Sequence, residues 1–191
     1  MKHISIIGTG NMGQAIASVA AKGGHTVQLL GQSDSNTQVA GEVVVLAVPY
    51  QALAAVIAER GASLAGKIVV DITNPLNFET FDSLVVPADS SAAAEIAAAL
   101  PQSRVLKAFN TTFAGTLASG TIGGLGTTVL IAGDDADAKS TLAEIVTSGG
   151  LAAVDAGSLE RARELEAVGF LQLTLAAGEK ISWTGGFATV A

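Results

Sequence analysis

The chain has no cysteine. Disulfide bridges and thiolate metal sites are therefore excluded, and the absence fits a cytoplasmic setting. Basic residues are also scarce: 10 Lys and Arg stand against 17 Asp and Glu, for a net charge of −7. No basic patch is visible, which argues against nucleic acid or an anionic membrane as partner. No apolar run reaches the length of a membrane span. Lys2 precedes Ile4, Ile6 and Ile7, but this run is too short for a secretory signal and breaks at once into glycine. Aromatic residues make up only 4% of the chain, so the core must come from the Ala, Val, Leu and Ile that dominate its 49% hydrophobic content. The two histidines, His3 and His25, open a strand and follow a helix-ending glycine pair. Neither has neighbours that suggest a metal site, and both read as surface or turn residues.

Glycine, in contrast, is plentiful, and three of its positions organise the rest. A β-branched run, His3 to Ile7, leads into Gly8, Gly10 and Gly13 in the spacing G-x-G-x-x-G, and a helical segment follows directly. Strand, glycine turn and helix in that order form a dinucleotide-binding fingerprint. Gly8 lets the chain turn off the strand, Gly10 lets a pyrophosphate approach the backbone, and Gly13 lets the helix pack on the strand. The helix start offers free N–H groups and the positive end of the dipole to a phosphate.

Apolar periodicity and breakers place the remaining elements. Helices are expected over 12–22, 51–60, from Ser90 or Ser91 to Leu100, and over 110–119, 136–148 and 158–177. Strands are expected over 26–30, 42–48, 67–72, 104–109, 127–132 and 151–155. The connection from Gly31 to Gly41 is polar and about as short as a parallel crossover can be, so a loop or one helical turn replaces a helix there. Residues 76–87 lack a clean period and read as loop. Asp134, Asp135 and Asp137 read as a helix start that complements the dipole, not as a cation site.

Strands alternating with helices imply an α/β fold, a doubly wound and mostly parallel sheet. Ligands of such sheets sit at the C-terminal strand ends. Gly8 to Gly13, Val48-Pro49, Asn74-Pro75 and Asn110-Thr111 should converge there. We expect one domain over 1–157, with 158–191 as a helix and tail that do not fold alone. The second half of the last helix, 167–177, is apolar nearly all round and needs burial on more than one side, which predicts a homodimer. Trp183 and Phe187 in the tail either cover an aromatic ring or pack on the core. Tyr50, after Pro49, is a candidate to flank an adenosine. Asp71 reads as a residue that fixes the turn after its strand, and Lys107 lies inside a strand.

Taken together, IGTGNMGQAIA, VVVLAVPY, VDITNPL, RVLKAFNTTFAGTL and DAGSLERARELEAVG resemble the NADP oxidoreductases dependent on the deazaflavin coenzyme F420. The cytosolic domains of transmembrane ferric reductases look similar. The resemblance covers nearly the whole chain in order. It implies a Rossmann NAD(P)-binding fold with a short C-terminal helical extension. It also implies hydride transfer between a nicotinamide and a deazaflavin. Both reacting centres then belong to cofactors, and the protein positions them and excludes water. No catalytic side chain and no metal ligand is expected. Carried over, Gly8, Thr9, Gly10, Asn11, Met12 and Gly13 would hold pyrophosphate and ribose. Ala47, Val48 and Pro49 would line the nucleotide, and Asn74 and Pro75 would lie by the nicotinamide ribose. Asn110 and Thr111 would edge the pocket of the second ligand, a deazaflavin or flavin or another small redox acceptor.

Relatives in this family commonly place Ser-Arg after the second strand, the arginine clamping the 2′-phosphate of NADP. Here Gly31, Gln32 and Ser33 occupy that stretch, without Arg or Lys. The nearest acid that could read NAD, Asp34, comes a few residues after the strand. Thr9, Gln32, Ser33 and backbone amides can still hold a phosphate, so NADP is expected and NAD stays open. The competing reading is a dinucleotide-binding sensor or subunit without catalysis.

Overall fold

The computed structural model describes residues 1–190; Ala191, the last residue of the expected tail, lies outside the described residues. The parallel strands are β1 (His3–Ile7), β2 (Thr26–Leu30), β3 (Val43–Leu46), β4 (Ile68–Asp71) and β5 (Arg104–Ala108). A hairpin of β6 (Thr121–Ile122) and β7 (Leu125–Gly126) follows. Then β8 (Thr128–Gly133) pairs antiparallel with β5, and β9 (Ala152–Gly157) pairs parallel with β8. The main sheet has the order β2-β1-β3-β4-β5-β8-β9. This is the doubly wound, mostly parallel Rossmann sheet that the sequence implies.

The helices are α1 (Asn11–Lys22), α2 (Leu53–Leu64), α3 (Ala92–Ala99), α4 (Ala114–Ser119), α5 (Ala136–Ser148) and α6 (Ala162–Ala177). Strand residues alternate between two cores, as the period of a strand requires. Ile4, Ile6, Val43, Val45, Ile68 and Val70 share one core with buried residues of α1 and α5. Ile7, Val44, Leu46 and Val69 share the other with Leu53 and Leu64 of α2 and Ile96 of α3. Parallel strands covered on both faces read as unbroken apolar runs for this reason.

The short crossover is a single helical turn, Gln32–Asp34, followed by turns and irregular chain. Polar bonds hold it in place of a packed helix. Gly41 N donates to Ser5 Oγ at 2.8 Å. Gln28 Nε2 donates to Gln38 O at 3.0 Å, while Gln28 Oε1 accepts from Ala40 N at 3.1 Å. Arg60 of α2 donates to the carbonyl oxygens of Asp34 and Thr37. β2 is left as a partly exposed edge strand.

Two features differ most from the expectation. The helix expected from Asn110 starts only at Ala114, because Phe109 takes φ +63° and Thr112 bonds back to Phe109 O through its hydroxyl at 2.8 Å. The chain turns before it coils. The hairpin was not anticipated, since its strands of two residues are too short for a period to register. The six-residue α4 is also too short to carry the chain back along the sheet, so β8 enters from the near end and runs antiparallel.

α6 lies across the C-terminal ends of β4 and β5. Leu165 O, Glu166 and Gly169 of this helix all meet residues at those ends. Its outer side leaves Val168 36% and Leu171 51% exposed. No helix among the described residues is long and apolar enough to cross a membrane.

Candidate functional site

The turn between β1 and α1 separates its three glycines by cause. A Cβ on Gly8 would overlap the carbonyl of Ala47, and Gly8 has φ +119°. A Cβ on Gly13 would overlap the carbonyl oxygen of Gly8. Both glycines are demanded by the protein's own packing. Gly10 is not: its φ is −72°, and a Cβ there would meet nothing within 4 Å. The space over Gly10 is open.

Gly10 is also the N-cap of α1, which has no side-chain cap and no acid in its first turn. α3 and α5 contrast with it. Ser91 and Asp135 cap them, and Glu95 and Asp137 stand in their first turns. The orphan N–H groups of α1 therefore face open space with no carboxylate of their own to answer them.

Two cavities flank this turn. The first, of about 600 Å³, lies where the strand order reverses between β1 and β3. It brings together Gly8, Thr9 and Gly10 with Gln32 and Ser33, and with Ala47, Val48 and Pro49, as the sequence implied. Asp34, Glu59 and Arg60 also line it; the last two were not anticipated. Tyr50 does not face this cavity. Its hydroxyl donates to Glu95 Oε2 at 2.7 Å. Burial, and then this bond, push the phenol up to about 12.

The second cavity, of about 470 Å³, opens on the other side of the turn. Asn11 and Met12 line it, so consecutive residues Gly10 and Asn11 face different cavities and the turn forms the saddle between them. Asn74 and Asn110 from the ends of β4 and β5 form its polar wall. They bond to each other twice: Asn74 Nδ2 donates to Asn110 O at 2.9 Å, and Asn110 Nδ2 donates to Asn74 Oδ1 at 2.9 Å. Asn110 Nδ2 also donates to Leu165 O of α6 at 2.8 Å. Asn110 Oδ1 is buried and has no partner among the described residues. The oxygen itself is closed off from the cavity and stands as an unmet acceptor inside the protein. Pro75 and Thr111 are buried beside this pair and do not line the cavity, and Gly13 is enclosed beneath the turn.

The opposite wall is apolar. Phe113, Leu173 and Trp183 line it, with the Trp183 and Phe113 rings 5.1 Å apart. The tail is pinned to α6 by Phe187 N, which donates to Gln172 Oε1 at 3.1 Å. Of the two tail aromatics, Trp183 faces the cavity and Phe187 does not. No sequence period links Phe113, Leu173 and Trp183, so only the fold reveals this wall.

Beneath it lies a buried ionic cluster that sequence reading missed. Lys107 is fully buried, and its Nζ meets Asp71 Oδ2 at 2.7 Å and Glu166 Oε1 at 2.8 Å. It also donates to Thr73 O. Asp71 fixes the turn as expected, through Thr73 N to Oδ1 at 2.9 Å, but it also serves this cluster. Glu166 accepts from Ala92 N at 3.1 Å and so caps α3. Burial raises the Glu166 carboxyl above the ordinary glutamate range, with Lys107 and the Ala92 N–H pulling it the other way. The signal was available: Asp71 and Lys107 are opposite charges inside two buried apolar strands, and such charges need partners. In register they are neighbours.

Among the described residues no group of three or more His, Asp or Glu is spaced to hold a metal ion.

These features match known proteins. Residues 3–75 fit the model of the family "NADP oxidoreductase coenzyme F420-dependent". The F420-dependent NADP reductase of Methanocaldococcus jannaschii is 30% identical, over 85% of this chain and 74% of that one. The rat metalloreductase STEAP3 is 31% identical over 86% of this chain, which spans only 36% of that longer protein. A crystal structure from Arthrobacter sp. FB24, provisionally described as an F420-dependent NADP-reductase, superposes with a TM-score of 0.86 at 25% identity, covering 100% of both chains. The glycine turn, the switch-point cleft and the sequence kinship agree, and the chain belongs to the family of F420-dependent NADP oxidoreductases.

Proposed function

We propose that the protein transfers hydride between NADP(H) and a deazaflavin or flavin-type acceptor. The observation that carries this reading is the bare approach to Gly10, a glycine that nothing in the protein itself requires. The open amides at the start of α1 would hold the pyrophosphate. Thr9, Gln32, Ser33, Ala47, Val48 and Pro49 of the first cavity would hold the adenosine half. Asn11, Asn74 and Asn110, beyond the saddle at Gly10, would hold the nicotinamide half. The rest of the second cavity would take the acceptor, with the Trp183 indole as an aromatic wall. The two bound rings would supply the hydride donor and acceptor, so the chain's own task is to hold them together and keep water out. The outer face of α6, with Val168 and Leu171 exposed, is read as a contact with a second copy of the chain. Sedimentation velocity tests that point.

The deciding experiment adds NADPH to purified protein, then a deazaflavin, a flavin or a ferric chelate in turn, and follows loss of nicotinamide absorbance. Turnover with one acceptor supports the reading. Nucleotide binding without reduction of any acceptor would leave a dinucleotide-binding sensor or subunit in its place.

A further inference from the structure

The adenosine end of the first cavity is charged in a way that the glycine turn does not dictate. We propose that this end does not select for a 2′-phosphate, and that NADH binds at least as tightly as NADPH. The inference rests on the reading that the cavity takes a nicotinamide dinucleotide.

In sheets of this kind the adenosine ribose lies at the end of the second strand. There an acid accepts a hydrogen bond from the 2′-hydroxyl, or an arginine meets the 2′-phosphate. In sequence, Asp34 comes too late for the first role. In space it does not. The single helical turn of the crossover folds it back, and Asp34 Oδ2 accepts from Gly31 N at 2.8 Å, one residue beyond β2. A Cβ on Gly31 would have Asp34 Oδ2 at 3.6 Å and Thr9 Oγ1 at 3.8 Å, so this carboxylate stands beside the glycine turn. Capping its own turn uses one oxygen. The other is left for a ligand hydroxyl.

The cations do not compensate. Arg60 is the one basic residue lining the cavity, and it is already engaged. Its two terminal nitrogens donate to Asp34 O and Thr37 O. Its Nε lies 3.4 Å from Glu59 Oε1, and the side chain is only 6% exposed. Turning it toward a phosphate would release the crossover that it fastens. The wall thus offers two carboxylates and one guanidinium held by carbonyls and by one of those acids. A phosphate monoester brings a charge of about −1.5 to −2 at pH 7. A carboxylate repels that group and accepts a bond from a hydroxyl.

The test is a fluorescence titration of the full chain with NADH and with NADPH at about 0.15 M ionic strength, where exposed charges still act over about 8 Å. The expected dissociation constant for NADH is equal to or below that for NADPH. Ser33→Arg, at an exposed position on the cavity rim, should tighten NADPH about tenfold and change NADH less than about threefold. Asp34→Asn keeps an acceptor for Gly31 N, removes the charge, and should move the ratio the same way by less. NADPH binding about tenfold tighter than NADH in the unaltered protein overturns the inference alone. Equal tightening of both nucleotides by Ser33→Arg also overturns it, because the new charge would then act on the pyrophosphate. If neither nucleotide binds at millimolar concentration, the dinucleotide reading falls and takes this inference with it.

Discussion

The two ends of the site are built by opposite means. At the β1–α1 end the surface is main chain: three glycines, an uncapped helix start and a crossover cut to one turn. At the β4–β5 end it is made of buried polar side chains, with Lys107, Asp71 and Glu166 beneath and the Asn74–Asn110 pair above. The first end owes its shape to side chains that are missing, so its N–H groups stay available. The second is correct only when every member is present, because a buried charge without its partner is costly. The glycine turn and the ionic cluster are thus separate in role, while the Asn74–Asn110 pair both lines the cavity and bonds to α6. Substitutions should divide along the same line, with binding lost at one end and stability lost at the other.

The sharpest contrast comes from Lys107→Met. It leaves Asp71 and Glu166 facing each other in the core without a cation, and should cost about 3–5 kcal/mol in urea unfolding. Loss of under 1 kcal/mol, about the worth of an exposed pair, would mean that the cluster is wetter than the structure shows. Gly169→Ala comes next. Its Cβ would overlap Asn74 Oδ1 and stand 2.9 Å from Asn110 O, so α6 must lift or the asparagine pair must part. Overpacking of this kind costs about 1–3 kcal/mol, and nucleotide binding should weaken with it. Gly10→Ala breaks the pattern from the other side. The new methyl touches nothing in the protein, so unfolding should shift by no more than about 0.5 kcal/mol. Dinucleotide affinity should nonetheless fall by about tenfold or more, about 1.4 kcal/mol. A folded Gly10→Ala variant that binds normally would show that the open space over this turn is not where a pyrophosphate lies.

The same contrast explains what could be read in advance. The glycine turn, the unbroken strands and the thin crossover are local patterns. Each follows from residues adjacent in sequence, and β2 and α5 fall on the expected residues. The second cavity is assembled from Met12, Asn74, Asn110, Leu173 and Trp183, which only the fold brings together. Asn74 and Asn110 were legible because each follows the end of an apolar strand. Glu166 was not, because in sequence it is one more acid in a run, Glu160, Glu164 and Glu166, that suits a solvated helix start. Its burial depends on how α6 crosses the sheet, and that depends on Gly169 fitting against Asn74. Asp34 shows the reverse error. Its distance along the chain hid a position that one helical turn restores in space.

Glu166→Gln tests the crowded end most gently. The amide keeps one acceptor oxygen, which can serve the Ala92 N–H or Lys107 but not both, and the charge is lost. In the unaltered protein burial holds the Glu166 carboxyl above its ordinary value of 4.5. Between those two values the folded chain binds more protons than the unfolded chain. The stabilising contribution of this group is therefore complete below pH 4.5 and is lost as pH rises through the raised value. A glutamine has no such loss. The stability of the unaltered protein relative to Glu166→Gln should fall as pH rises above 4.5, with a slope of at most about 1.4 kcal/mol per pH unit for one proton. Carboxylates of the opposite kind are common to both proteins and cancel in the difference. One is Asp155, held below its ordinary value by the Lys139 bond and the Gly157 N–H. Paired urea titrations at several pH values give that difference directly. A difference that climbs with pH would mean that attraction to Lys107 outweighs the cost of burying a second carboxylate beside Asp71, and the cluster would then bind α6 through its charge instead of tolerating it.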